Sequence, residues 1–280
     1  MIVSRQNQKL KDIRRLRRSK GDRALLEGPH LIAEALAADL DLEIVLATPG
    51  FLATAEGQSL ARHMASRDVE PLEVDPDLLA ELTDADSPRG LLAVASLPRQ
   101  GVKALPVRAG GAYLYIEGLQ DPGNLGALAR VAEAAGAAGL VLSPGTVHPN
   151  HPRALRASAG SLLRLPVAVA TPPEALDRHL SSIRPRWAAL VPRGGTDLYE
   201  ADLAGTIVLA VGAEGPGLSP ALQARADLGL TIPIEPPVES LNATVAAALV
   251  LFEWRRRKSP HPPAPSPAPP PSLPGRGGEG

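Results

Sequence analysis

Apolar residues along this 280-residue chain fall into short blocks divided by turn residues, and their period changes from block to block. Leu10, Ile13 and Leu16 recur at helical spacing among basic residues, which predicts a basic amphipathic helix over Ser4–Arg18. Ala24–Glu27 then predicts a short strand. Pro29–Ala38 predicts a helix, with Pro29 in its first turn. Leu42–Ala47 is expected as a strand, Thr54–Ser66 as a helix, and Glu70–Val74 and Gly90–Ala95 as strands. Strands alternating with helices imply a small α/β layer structure. Residues 97–111, LPRQGVKALPVRAGG, carry proline, glycine and charge without periodicity, and read as an interdomain linker.

A second α/β run begins at Ala112. Its strands are expected at Ala112–Glu117, Gly139–Ser143, Trp187–Val191, Thr206–Val211 and Leu228–Ile232. These runs lack polar alternation, as strands do when helices cover both faces. Asn242 is expected to cap a last helix that reaches about Lys258 and carries Val245, Leu249 and Phe252 on one face. Residues 259–280 hold no apolar pattern to offset ordering entropy, so a disordered extension is expected there.

Charge changes the picture only when it is divided along the chain. The net charge of −1 suggests no polyanionic partner. Yet the first 23 residues hold nine basic side chains and two acids, a surplus of +7 that leaves −8 for the rest. A basic arm of that density fits contact with nucleic-acid phosphates. The chain has no cysteine, which excludes a disulfide framework, a thiolate metal site and a cysteine nucleophile. No apolar stretch approaches the roughly 18 residues needed to span a bilayer. Met1-Ile2-Val3 runs directly into charged residues, so no secretory signal is expected, and a cytoplasmic setting is. His148 and His151 have no third ligand nearby in sequence, so no metal site is expected.

Three segments carry candidate chemistry. In EGLQDPGNLGALARVAEAAG, Glu117–Gly136, a strand ends, a Pro-Gly turn follows, and Asn124 is expected to open a helix bearing Arg130. In VLAVGAEGPGLSP, Val208–Pro220, a strand runs into a glycine-rich turn that holds one acid, Glu214. Glycines there allow close backbone approach or positive φ. This turn is neither a P-loop nor a well-placed dinucleotide fingerprint. In IPIEPPVESLNATVAAA, Ile232–Ala248, a proline-rich turn places Ser240 and Asn242 before the final helix. All three follow strand carboxyl ends, where open α/β sheets hold ligands. Taken alone, these patterns reach only an α/β protein with a polar loop site.

In order and spacing, the three segments closely resemble the SpoU (TrmH) family of RNA ribose 2′-O-methyltransferases, within the SPOUT superfamily. The matching signatures are N-L-G-x-x-x-R at Asn124–Arg130, G-x-E-x-x-G at Gly212–Gly217, and the I-P and S-L-N elements between Ile232 and Asn242. Arg156–Val167, RASAGSLLRLPV, is similar to a further segment of that family. The N-terminal half resembles an L30e-like substrate-binding domain. The resemblance implies a trefoil-knotted methyltransferase domain at 112–258, joined through the 97–111 linker to an RNA-binding domain at 1–96. It implies S-adenosylmethionine as cofactor, held near Gly212, Ala213, Gly217, Ile232 and Leu241. It gives Arg130 as the catalytic arginine, with Asn124, Glu214, Ser240 and Asn242 as companion site residues. It also implies a homodimer. Arg5, Lys9, Lys11, Arg14, Arg15 and Arg18 of the arm are expected to meet RNA. The expected substrate is 23S-type ribosomal RNA. The alternatives are transfer RNA, a catalytically silent RNA-binding module, or a plain nucleotide-binding domain.

Overall fold

A computed structural model describes residues 1–16, 21–83, 89–97 and 101–258. Arg17, Arg18 and Lys20 of the arm, and the proline-rich stretch from 259, lie outside the described residues. The first half comprises α1 (Gln8–Leu16), β1 (Arg23–Glu27), α2 (Pro29–Ala37), β2 (Leu42–Ala47), α3 (Pro49–Leu52), α4 (Ala55–Ala65), β3 (Leu72–Glu73), α5 (Pro76–Ala80) and β4 (Leu91–Ser96). Its sheet has the order β1-β4-β2-β3, with β4 antiparallel to both β1 and β2. The basic helix begins at Gln8 rather than Ser4. A turn from Ser4 to Asn7 precedes it, and Asn7 Oδ1 accepts from the Lys9 amide at 2.9 Å. Leu10 and Ile13 are buried against Leu25, Leu46 and Val74, so α1 is docked on the sheet.

The second half comprises β5 (Ala112–Glu117), α6 (Pro122–Ala135), β6 (Gly139–Leu142), α7 (Pro152–Ser158), α8 (Ser161–Arg164), β7 (Val167–Ala168), α9 (Pro173–Leu180), β8 (Arg186–Leu190), β9 (Thr196–Asp197), β10 (Ile207–Gly212), α10 (Pro220–Arg225), β11 (Leu228–Thr231) and α11 (Ala243–Lys258). Seven parallel strands lie in the order β7-β6-β5-β10-β8-β11-β9. The central strands β5 and β10 are buried on both faces, which accounts for their unbroken apolar runs. The chain leaves β5 toward β6 on one side and returns as β10 on the other, so β5 and β10 flank a topological switch.

Asn124 does not open α6. Asp121 does: its Oδ1 accepts from the Asn124 amide at 2.8 Å, and Pro122 fills the first turn, where no donor is needed. Asn124 therefore projects from the first turn. Helices α6 and α7 pack closely enough that a Cβ at Gly126 would lie 2.3 Å from the Ala154 carbonyl oxygen. The two halves share one continuous core, in which Leu26 and Ile32 join Leu155 and Leu162. Asn150 Nδ2 donates to the Gly21 carbonyl at 2.7 Å, and Arg156 pairs with the buried Glu27. The segment expected as a linker is partly structured. Val102–Ala104 forms a 3-10 turn, and Leu105 is buried with Tyr113 and Leu180.

Helix α11 buries Ala247, Val250, Leu251 and Trp254. Its last turn carries the basic run Arg255–Lys258, and that run is internally engaged. Arg257 donates to the Leu198 and Tyr199 carbonyls at 3.0 and 2.8 Å, and Lys258 Nζ to that of Gly110 at 2.7 Å. Hydrogen bonds from Arg256 first, and then Arg257, pull Glu253 from its ordinary 4.5 down to about 2, with burial opposing them. Because the folded value is depressed, this stabilisation is present above about pH 4.5 and is lost as pH falls toward 2. Glu253→Gln is expected to be less stable than the parent at pH 7. The gap should narrow in denaturant titrations run from pH 5 to pH 2.

Candidate active site

In the β5–β10 pair, Gly212 lies directly opposite Glu117. The loops leaving these strands therefore start side by side. Glu117 joins them: its Oε2 accepts from the Ser219 amide at 2.7 Å and its Oε1 from the Ser219 hydroxyl at 2.8 Å. Ser219 in turn caps α10, accepting from the Leu222 amide at 3.2 Å. Between these anchors the chain doubles back, and the Gly217 amide donates to the Ala213 carbonyl at 2.9 Å. Gly215 and Gly217 take φ of +87° and +69°, which side chains resist. Gly212 has a different reason to be glycine: a Cβ there would stand 2.1 Å from the Gly217 carbonyl carbon.

This loop forms one wall of a cavity of about 350 Å³ at the carboxyl ends of β8, β10 and β11. Leu190, Val191, Val211, Ile232, Ile234 and Ala246 make its apolar walls. Gly212, Ala213, Gly217, Ile232 and Leu241, the expected cofactor residues, all line it, as do Glu214, Ser240 and Asn242. Asn242 also caps α11, accepting from the Thr244 amide at 2.8 Å. Size, apolar walls and a few rim polar groups suit a nucleoside-sized ligand.

Asn124 reaches the site from α6, donating from Nδ2 to Glu214 Oε1. Arg130 is not brought into the cavity lining. It lies about 9 Å further along α6, exposed, with no ion pair or hydrogen bond among the described residues. Of the arm residues, Arg5 and Arg14 both pair with Glu81 and Arg15 lies 3.8 Å from Asp12, whereas Lys9 and Lys11 are exposed. Arg18 lies outside the described residues. The two loop histidines serve turns: His148 Nδ1 accepts from the Asn150 amide and His151 Nδ1 from the Arg153 amide, each at 3.2 Å. Among the described residues no cluster of three or more His, Asp or Glu side chains is placed to hold a metal.

Sequence reasoning missed several parts of this arrangement. The Asp121-Pro122 and Ser219-Pro220 pairs carry the cap-then-proline signature of helix starts, and it would have found both caps. The Glu117–Ser219 clamp spans 102 residues and left no local signal. The same holds for the wall residues at the end of β8.

The model of the SpoU rRNA Methylase family matches residues 111–252, and that of the MRM3-like substrate binding domain matches residues 7–93. The 23S rRNA (guanosine(2553)-2′-O)-methyltransferase RlmP of Bacillus subtilis is 30% identical over 259 residues, covering 91% of this chain and 98% of that protein. The 23S rRNA (uridine(2479)-2′-O)-methyltransferase of Streptomyces viridochromogenes is 32% identical over 199 residues, 68% of each chain. Among solved structures, the SpoU methyltransferase AviRb of Streptomyces viridochromogenes, in complex with AdoMet, superposes with a TM-score of 0.81 at 26% identity, covering 90% of this chain and 98% of that one. The matched span takes in all three chemistry-bearing segments and both strands of the switch, so the chain belongs to the SpoU rRNA methylase family.

Proposed function

We propose that this protein transfers a methyl group from S-adenosylmethionine to a ribose 2′-hydroxyl of RNA, with 23S-type ribosomal RNA as substrate. The cavity at the ends of β8, β10 and β11, rimmed by a loop whose Glu214 is bound by Asn124, carries the reading. Its lining fits the cofactor: apolar walls for the adenine, and backbone and Asn242 groups for the polar ends. Bound there, S-adenosylmethionine supplies an electrophilic methyl. The names of the relatives support large-subunit ribosomal RNA.

The protein's own part is positioning. A guanidinium is a poor general base, so that role is not given to Arg130. Its role is to grip the phosphate next to the target ribose and to stabilise the developing alkoxide, with a phosphate oxygen taking the proton. Asn124 and Glu214 tie the arginine-bearing helix to the cofactor loop. Ser240 and Asn242 orient ribose and cofactor from the opposite rim. Residues 1–96 hold the RNA through Lys9, Lys11 and the rest of the arm, 97–111 connect, and 112–258 form a trefoil-knotted catalytic unit. No helix among the described residues is long and apolar enough to cross a membrane, and the cytoplasm, where ribosomal RNA is modified, is the proposed setting.

The working form is a homodimer. Val245, Leu249 and Phe252 of α11 are 50%, 39% and 47% exposed, and Tyr199 is 58% exposed. With Val131 they line an apolar groove of about 630 Å³. Apolar patches of this kind mark interfaces, and Val131 adjoins Arg130, so a second copy here completes the site beside the arginine. Leu249→Glu is expected to give monomers by analytical ultracentrifugation and to lose most methyl transfer. An active monomer would refute the shared site. The substrate itself is read by mapping 2′-O-methylation on total RNA from a deletion strain and its parent. A site missing from 23S rRNA supports the reading, and one missing only from transfer RNA replaces it.

A further inference from the structure

Glu133 stands three residues after Arg130 on α6, the spacing at which helical side chains meet. An arginine and a glutamate so placed can pair, yet Arg130 is unpaired among the described residues. Glu133 is occupied elsewhere. Arg164, at the end of α8, grips it with a fork: Nε donates to Oε1 at 2.8 Å and Nη2 to Oε2 at 2.9 Å. The third nitrogen of the same guanidinium, Nη1, pairs with Glu34 of α2. A planar bidentate pair of this kind is strong and geometrically fixed. Consistent with it, Glu133 is held below the ordinary carboxylate range, chiefly by the Arg164 hydrogen bond.

We propose that Arg164 is a positioning residue for methyl transfer: by occupying both oxygens of Glu133, it keeps the Arg130 guanidinium free for an RNA phosphate. This rests on the reading of Arg130 as the phosphate-binding residue. Without Arg164, Glu133 turns onto Arg130 or leaves an unneutralised negative charge beside the phosphate. Either way, α6 offers the RNA no net positive charge at that point. Glu34 supplies the contrast, because its pair with Arg164 joins α2 to α8 and uses a different nitrogen from those that hold Glu133.

The test uses the full-length protein, with kcat and KM for RNA, the salt dependence of RNA binding, and calorimetric affinity for S-adenosylmethionine. Arg164→Met is expected to lower kcat/KM for RNA on the order of tenfold. It should reduce the salt slope by about one phosphate contact and leave cofactor affinity unchanged. Adding Glu133→Gln to that variant should restore both rate and slope, whereas Glu133→Gln or Glu34→Gln alone should stay near the parent. Arg164→Lys, which keeps the charge but loses the fork, should fall between and guards against a misfolded Met variant. The proposal is overturned if the double variant remains as impaired as Arg164→Met. It is equally overturned if Glu34→Gln alone reproduces the loss, since Arg164 would then act by holding the two halves together. Failure of the underlying reading shows separately, as normal turnover in Arg130→Ala.

Discussion

Arg130→Ala is expected to bind S-adenosylmethionine like the parent protein and to lose methyl transfer by on the order of a hundredfold or more. The split between binding and turnover follows from placement. Arg130 is absent from the cavity lining, so its removal takes no contact from the cofactor. It stands exposed and unpaired among the described residues, so truncation leaves no buried partner and should not unfold α6. What the proposed mechanism loses is a fixed cation for the phosphate and the developing alkoxide. That interaction strengthens in the transition state and therefore appears in kcat. Near-normal turnover in this variant would remove Arg130 from the mechanism. Loss of cofactor binding alongside turnover would mean that its role is to support the cavity.

Gly212→Ala is expected to do the reverse and to damage cofactor binding first. The new methyl would sit 2.1 Å from the Gly217 carbonyl carbon and 2.3 Å from the Leu218 nitrogen, both backbone atoms that no rotamer change can move. The loop must open, which breaks the Ala213–Gly217 pairing and shifts Glu214 away from Asn124. Overpacking of this kind costs about 1–3 kcal/mol, or roughly five- to 150-fold in Kd. Calorimetry with S-adenosylmethionine should show this loss while the melting temperature moves little, because the damage lies at a loop on the surface. Unchanged affinity would mean that the loop does not form the cofactor wall.

Much of this arrangement was legible in the chain. Leu42–Ala47 and Ala112–Glu117 are strands over the expected residues, because unbroken apolar runs bounded by turn residues have few other uses. The start of α6 differs from the expectation at Asn124, because Asp121 caps the helix and Pro122 fills its first turn. Two-residue strands such as β7 and β9 have no period to detect. The exposure of Val245, Leu249 and Phe252 was out of reach for a different reason. Helix α11 is apolar on two faces, and periodicity does not say which face packs inward and which stays exposed. The insertion of β10 between β5 and β8 is a long-range pairing, so the meeting of Glu117, Gly212 and Ser219 became visible only in three dimensions. The proposed site residues rest on motifs in the right order, which charge and composition alone do not supply.

The most direct test of the central claim is transfer of labelled methyl from S-adenosylmethionine to 23S ribosomal RNA lacking its native modifications, followed by alkaline hydrolysis. Methylation of a 2′-hydroxyl blocks cleavage of the adjoining phosphodiester. Label is therefore expected in an alkali-resistant dinucleotide with the purified protein, and almost none with Arg130→Ala. Label recovered in alkali-released mononucleotides would place the methyl on a base, and that result would contradict the assignment.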